Sequence, residues 1–564
     1  MDNIVYLIFR RMRRPLMTLL VVYSISILGL VLIPGLDDQG NRWHMGFFHA
    51  FYFVSYMATT IGFGEIPHTF TDAQRMWVLV TLYAGVISWL YAMGTILSLV
   101  QDKTFQRALA ENKFAKNIRS LREPFYIVCG YGETGSGLVK ALTEIGQHVV
   151  VIEINESRSL LPDVSNLREF VPSLHGDARK PLHLQEAGLQ NPLCKAVVAV
   201  TNKNEANLKI AITSKLLHPD IKVICRADSH DIEKNMASFG TDYIVDPYDA
   251  FARSVETAFL APCLYLLQSW FSSGLGNRLA EPIYPPRKGH WIVCGFGRFG
   301  KAVYKRLIKE GLDVVVVEMQ PNKTGTPNTR LVKGRGTEAD TLYQAEISTA
   351  CGIVAGTDDD TNNLSIVVTA REINNQIFTI ARQNHLDNSP LFDALDAEIV
   401  MHPSNIIADR INVLLGTPML YKFISLASYE KNEWACELAS RISGIVGSRN
   451  PKLEEICICD EQSPAIMSVL KQGEKVTIGN IMRDPWKRKH TLRYIILMLE
   501  RESGSILLPD NETELMDGDH MLVCLPSNGL SRLFWSLKHD NSLSYVRTGR
   551  VTRHGWLWQK LKSK

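Results

Sequence analysis

Phe125-Tyr126-Ile127-Val128-Cys129-Gly130-Tyr131-Gly132-Glu133-Thr134-Gly135 returns 165 residues later as His290-Trp291-Ile292-Val293-Cys294-Gly295-Phe296-Gly297-Arg298-Phe299-Gly300. Val149 to Glu153 returns as Val314 to Glu318 at the same offset. After a shortened loop, Thr201 to Leu208 matches Thr357 to Leu364 at an offset of 156. At that offset Cys225-Arg226 answers Ala381-Arg382, and Asp246-Pro247 answers His402-Pro403. Matches in this order do not arise from composition, so the chain carries two copies of one domain.

Each copy reads as strand, Gly-x-Gly-x-x-Gly, helix, strand and acidic residue. The glycines permit a tight turn and let a pyrophosphate approach a helix N-terminus. Glu153 and Glu318 each fall 23 residues after the first glycine, where a carboxylate accepts hydrogen bonds from a ribose 2′-hydroxyl. A carboxylate there repels a 2′-phosphate, which favours NAD or an adenine nucleotide such as ADP over NADP. The first copy offers Gly130, Tyr131, Gly132, Glu133, Thr134, Gly135, Glu153, Asp177 and Arg226; the second offers Gly295, Gly297, Arg298, Gly300 and Glu318. The first is the better binder on sequence, because His175-Gly176-Asp177 stands where the second has Lys333-Gly334-Arg335.

Ahead of the repeat, Leu16 to Ile33 and Met76 to Val100 are free of charged residues, and each is long enough to cross the hydrocarbon core. Between them, Phe47 to Ala58 is aromatic and apolar but too short to span. It runs into Thr59-Thr60-Ile61-Gly62-Phe63-Gly64-Glu65. Glycine at alternate positions allows an extended run whose carbonyls all face a dehydrated cation. Non-helical backbone at membrane depth is tolerated only where protein buries it or it lines a watery cavity. A half-crossing helix and a returning strand satisfy that rule, and more than one chain must converge to surround an ion.

Arg10, Arg11, Arg13 and Arg14 precede the first span; Lys103, Arg107, Lys113, Lys116, Arg119 and Arg122 follow the second. The positive-inside rule places both termini in the cytoplasm and the Glu65 end of the motif outside. Ile4 to Phe9 reads either as an interfacial helix or as the start of a long first helix. Gly85 and Gly94 are hinge candidates in the second span, with close helix packing as the equal alternative. Ile96 and Leu97 are candidates for an apolar gate.

The pore segment resembles the two-transmembrane potassium channels, whose filter pattern is Thr-x-Gly-Tyr-Gly-Asp. The resemblance implies a homotetramer with K⁺ held by the carbonyls of Thr60, Ile61, Gly62 and Phe63 and by the Thr60 hydroxyl. Phe63 for Tyr and Glu65 for Asp depart from that pattern, which leaves a less selective cation channel open. With the repeat behind it, the whole chain resembles potassium channels bearing tandem RCK (regulator of K⁺ conductance) domains. That implies a multi-pass protein of a bacterial inner membrane, gated by nucleotide or divalent cation through a cytoplasmic ring.

The expected fold class is an α-helical two-span membrane pore domain plus α/β, with two Rossmann-like RCK domains, the second followed by a small α+β subdomain. The expected domains are 1–100 (pore), 101–123 (helical linker), 124–250 (first Rossmann-like copy), 251–287 (helical dimerisation element and linker), 288–410 (second copy), 411–545 (C-terminal subdomain) and 546–564 (basic tail). Leu515 to Val523 resembles a closing hairpin in which Asp517-Gly518 joins two apolar strands. Arg253 and Glu256 argue against a third span in the apolar stretch from Phe251 to Phe271.

Calcium-gated relatives place acidic residues where this chain has Thr201 and Cys225-Arg226-Ala227-Asp228; only Asp228 stands in for such a ligand. A Ca²⁺ site elsewhere in the ring stays open, and Asp358-Asp359-Asp360 reads as a solvated loop. All ten cysteines follow the second span, mostly in apolar strand-like runs, which suits a reduced compartment and use as small hydrophobes. A net charge of +3 without a basic, aromatic-interleaved tract argues against nucleic acid as a partner. The expectation is a channel and not an enzyme. The remaining alternative is a membrane-tethered NAD-binding regulatory protein; a dehydrogenase would need a general acid and a substrate domain that the sequence does not offer.

Overall fold

The structure is a computed structural model that describes residues 2–64, 66–228, 230–272, 278–526 and 529–550. Glu65 and most of the expected basic tail, 551–564, lie outside the described residues. The chain divides into two compact units, Met1–Leu121 and Arg122–Lys564.

The first unit is helical. Helix α1 (Asp2–Leu32) is continuous, so Ile4 to Phe9 begins the long first helix and is not a separate interfacial element. A two-residue pairing of β1 (Gly35–Leu36) with β2 (Arg42–Trp43) follows. Then come α2 (Phe47–Ala58), α3 (Asp72–Gln101) and α4 (Lys103–Ser120). Thr71 and Gln74 close a reciprocal capping box that fixes the start of α3. Phe9–Leu32 and Asp72–Gln101 are long and apolar enough to cross a membrane. Leu20, Leu28 and Leu32 on α1, and Met76, Ile87 and Leu90 on α3, stay exposed. An apolar exterior of this extent suits lipid or further protein and not water. Trp77 locks the two helices together: its indole Nε1 donates to the Ser26 carbonyl at 3.2 Å. A Cβ on Gly29 would lie 2.1 Å from that indole, so glycine there lets the helices touch. Ala50, Phe53, Val54 and Met57 seat α2 on Ile27 and Leu30 of α1.

The second unit holds both repeats. The first copy is a six-stranded parallel sheet of β3 (Phe125–Cys129), β4 (His148–Glu153), β5 (Ser173–His175), β6 (Cys194–Ala199), β7 (Lys222–Arg226) and β8 (Tyr243–Val245). Its order is β5-β4-β3-β6-β7-β8. The second copy repeats this order with β9 (His290–Cys294), β10 (Asp313–Glu318), β11 (Leu331–Lys333), β12 (Gly352–Ala355), β13 (Phe378–Arg382) and β14 (Ile399–Met401). The order reverses between β3 and β6, and between β9 and β12, which opens a crevice at the carboxyl ends of the strands. The Thr-to-Asn matches of the repeat are structural. Buried Asn207 accepts from Thr201 and donates to the Arg226 carbonyl, and Asn363 does the same with Thr357 and Arg382.

The copies exchange helices. Helix α5 (Glu133–Glu144) follows β3, and α6 (Pro247–Leu260) with α7 (Pro262–Ser272) follows the first copy. Helix α8 (Arg298–Lys309) follows β9, and α9 (Pro403–Gly416) ends the second copy. Tyr248, Phe251, Val255 and Phe259 of α6 join the core of the second copy. Ile407, Ile411 and Leu414 of α9 join the core of the first. Helices α6 and α9 thus pair the two copies within one chain, and both run across the expected boundaries at 250/251 and 410/411.

The C-terminal part is an antiparallel sheet of β15 (Lys452–Cys457), β16 (Ile495–Arg501), β17 (Gly504–Leu507) and β18 (His520–Leu525) in the order β15-β18-β16-β17. Helix α10 (Asn432–Val446) and α7 cover one of its faces. Two expectations fail here. Asp517-Gly518 does turn, with Gly518 at φ +81°, but no strand precedes it. Asp519 instead accepts from the Met516 N–H and from Arg501, tying the turn to β16. Not all cysteines are free, because Cys263 of α7 and Cys436 of α10 form a disulfide. Cys129, Cys225 and Cys294 are buried hydrophobes as expected, and burial pushes the Cys225 thiol up to about 12.

Candidate functional site

The expected conduction motif follows directly on α2. The helix's last turn continues into the motif because the N–H of Thr60 bonds the Met57 carbonyl and that of Ile61 bonds the Tyr56 carbonyl, each at 3.1 Å. Thr59 donates its hydroxyl to the Ser55 carbonyl. Beyond that, backbone handedness alternates: φ is +62° at Thr60, +62° at Gly62 and +74° at Gly64, and it is not positive at Ile61 or Phe63. Alternation of this kind turns successive carbonyls to one side, as a cation-lining run requires. Glycine takes the left-handed region freely, whereas Thr60 carries strain of the sort found at functional sites. The negative end of the α2 dipole faces the same segment. Phe63 packs edge-on to Tyr56, with ring centroids 6.0 Å apart. Glu65, also expected here, is outside the described residues.

Gly85 and Gly94 both lie inside unbroken α3. A Cβ on Gly85 would meet that of Ala58 at 3.4 Å, so Gly85 packs against the end of α2, whereas Gly94 has open space. Ile96 and Leu97 are exposed on the same helix.

In the second unit each glycine loop opens a cavity. The first, of about 300 Å³, is lined by Gly130, Gly132, Thr134, Glu153, Asp177 and Arg226, joined by Arg158, Arg179 and Lys203. The second, of about 690 Å³, is lined by Gly295, Gly297, Arg298 and Glu318, joined by Tyr248, Lys323, Arg335 and Arg382. The third glycine of each motif is a packing residue. A Cβ on Gly135 would lie 1.9 Å from the Gly130 carbonyl oxygen, and one on Gly300 would lie 1.9 Å from that of Gly295. Tyr131 lies in the apolar core beneath the first loop.

Glu153 and Glu318 are already engaged. Glu153 accepts from the Tyr131 N–H at 2.5 Å and the Asn155 N–H at 2.8 Å; Glu318 accepts from Phe296 and Gln320 in the same way. Each oxygen keeps a second lone pair, so these carboxylates brace the loop and still offer an acceptor. Asp177 forms a two-pronged pair with Arg179, whose hydrogen bonds hold its carboxyl below the ordinary range.

Where the copies meet, Glu133 lies 3.8 Å from His385 Nδ1 and 3.9 Å from His402 Nε2. Asp228 pairs with Arg226 and with Arg298, which spends the one carboxylate that stood in for a calcium ligand. Among the described residues no group of three or more His, Cys, Asp or Glu side chains could hold a metal ion. The acidic triplet is a solvated loop at Asp358 and Asp359, which are exposed, but not at Asp360. Asp359 caps the following helix, and Asp360 is buried, accepting from Asn384, His385 and Asn388. Sequence reasoning missed Tyr248 as a pocket residue because it arrives on the exchanged helix. Arg382 was legible as the counterpart of Arg226.

Residues 16–102 match the ion channel family, and residues 126–247 and 291–403 each match the TrkA-N domain. Potassium channel protein 1 of Methanocaldococcus jannaschii is 27% identical over 203 residues, covering 36% of this chain and 59% of that protein. The probable potassium channel protein 2 of the same organism is 26% identical over 232 residues, covering 41% and 62%. The chain thus matches about three fifths of the length of these relatives. Among solved structures, the GsuK channel aligns over 97% of this chain and all of its own, with a TM-score of 0.51 at 15% identity, a likeness of fold. The chain therefore combines an ion channel segment with two TrkA-N domains.

Proposed function

We propose that this chain is the subunit of a homotetrameric potassium channel of the cell membrane, opened or closed by an adenine nucleotide, NAD or ADP, bound to its TrkA-N domains. The observation that carries the reading is the alternating left-handed backbone at Thr60, Gly62 and Gly64, at the end of a half-length helix between two spanning helices. Four such segments would ring an ion with the carbonyls of Thr60 to Phe63. The potassium channel names of the relatives support the choice of ion. A less selective cation channel is the second reading, because Phe63 has no phenol to brace the filter.

In the soluble unit the two crevices, with their glycine loops, braced carboxylates and basic walls, suit a pyrophosphate. Ligand binding would change how the copies pack, and residues 101–123 would carry that change to the inner ends of α3. A ligand can gate only by its difference in affinity for open and closed states, about 1–3 kcal/mol per coupled site. Glu133 and the basic pocket residues bind and orient in this reading, and none transfers a hydride or a proton.

Potassium flux into liposomes containing only this protein, with NAD, ADP or no nucleotide, tests the reading. Flux of K⁺ over Na⁺ that responds to nucleotide is expected; intact tetramers with no flux under any condition would sink it.

A further inference from the structure

One buried carboxylate serves both pockets. Arg226, the last residue of β7, lines the first pocket, and its Nε lies 2.9 Å from Asp228 Oδ1. Arg298, the first residue of α8, lines the second pocket, and one of its terminal nitrogens lies 3.4 Å from Asp228 Oδ2. Asp228 is 7% exposed, and its single charge is shared between the largely buried Arg226 and the more exposed Arg298. Arg298 and Arg382 both sit over the Tyr248 ring, at 5.2 and 5.3 Å, and both line the second pocket. The repeat does not duplicate the arrangement: the position matching Asp228 is Asn384, and the one matching Arg298 is Glu133. The contact therefore exists once per chain.

We propose that Asp228 couples the two pockets negatively, so that a phosphate-bearing nucleotide in one weakens nucleotide binding in the other. This rests on the nucleotide reading above. Phosphate in the first pocket draws Arg226 off Asp228. The freed carboxylate then holds Arg298 more firmly and withdraws that cation from the second pocket. Phosphate in the second pocket draws on Arg298, leaving Asp228 to hold Arg226 back from the first. Coupling of binding free energies is reciprocal, so both directions carry the same factor.

The test is photolabelling of the full-length protein with 8-azido-ADP, with the labelled peptides of each copy resolved by mass spectrometry. Gly297→Trp plugs the second pocket without adding charge, since a side chain there meets open space. The first pocket should half-saturate at about fivefold lower ligand in Gly297→Trp than in the wild type under conditions that fill both pockets. Asp228→Asn should abolish that difference, and Asp228→Glu should keep part of it. Should Asp228→Asn fail to fold, the comparison of wild type with Gly297→Trp still decides whether the pockets are coupled, and a coupling undiminished in Asp228→Glu removes Asp228 from it. Labelling of both copies with first-pocket isotherms within about twofold overturns the coupling while the nucleotide reading stands. Labelling of one copy alone does the same, and labelling of neither overturns both. Coupling that persists in Asp228→Asn removes Asp228 from the role.

Discussion

Arg306 of the second copy donates to Glu256 of the exchanged helix α6 at 2.7 Å. Glu256 argued, with Arg253, against a third membrane span, and its second oxygen takes Lys309 at 2.7 Å. A 9%-exposed carboxylate needs such partners. Removing it leaves Arg306 with Asp249 alone. Glu256→Leu should lower stability by about 3 kcal/mol, read as a lower thermal unfolding midpoint of the purified protein. An unchanged midpoint would mean that apolar packing alone holds the exchange.

Gly62 has open space around the position of a Cβ, yet its φ of +62° is costly for any L side chain. Gly62→Ala adds about 1–2 kcal/mol of strain and turns the carbonyl run. Loss of K⁺ flux with nucleotide binding retained is expected. Retained flux with unchanged K⁺ over Na⁺ preference would move the filter elsewhere.

Much of the architecture was legible because it rests on local chemistry. The repeat predicted two sheets of identical order, and the charge-free runs predicted α1 and α3. The Phe47 to Ala58 segment became α2 with those bounds. What escaped depends on contacts distant in sequence. Nothing near Tyr248 says that its helix packs on the other copy, and nothing in 263 or 436 says that two cysteines 173 residues apart meet. Within the acidic triplet only Asp360 misled, because its burial is decided by Asn384, His385 and Asn388, which follow β13. At the site, the glycines and acidic residues were readable from spacing, whereas the Arg226–Asp228–Arg298 contact needed the exchange of helices.

The third and second glycines of the loop have different duties, and substitution separates them. Gly135→Ala drives a methyl to 1.9 Å from the Gly130 carbonyl oxygen, so the turn must open. ADP labelling of the first copy should fall at least tenfold. Gly297→Ala meets no protein atom within 4 Å, so the turn keeps its shape and second-copy labelling should fall less, through crowding of the pyrophosphate alone. Equal effects of the two would contradict a packing role for the third glycine.

The Cys263–Cys436 bond closes a segment of 173 residues and ties α7 to α10. Chain-entropy arguments give a bond of this span about 5 kcal/mol, and disulfides typically deliver about 2–4 kcal/mol. Reductant, or the double change Cys263→Ser with Cys436→Ser, should lower the unfolding midpoint. Mass spectrometry of alkylated protein should find these two thiols protected before reduction. Both alkylated in non-reduced native protein would remove the bond from the account.

His402 gives the unit an acid-sensitive contact whose sign can be worked out. It caps α9, its Nδ1 accepting the Asn405 N–H at 3.3 Å, so the neutral ring carries its proton on Nε2 toward Glu133. Burial holds the imidazole below its usual 6.5, against the opposing pull of Glu133 and Asp360 and with His385 adding to the depression. In the unfolded chain it takes up a proton near about 6.5, and in the folded protein only at lower pH. Over that window the unfolded state binds more protons, so stability is present above about 6.5 and is lost as pH falls toward the folded value. Asn at this position keeps a capping oxygen and removes the titration. The drop in unfolding midpoint between pH 7.5 and 5.5 should therefore be smaller in His402→Asn than in the wild type. An equal drop in both would assign the acid sensitivity to another group.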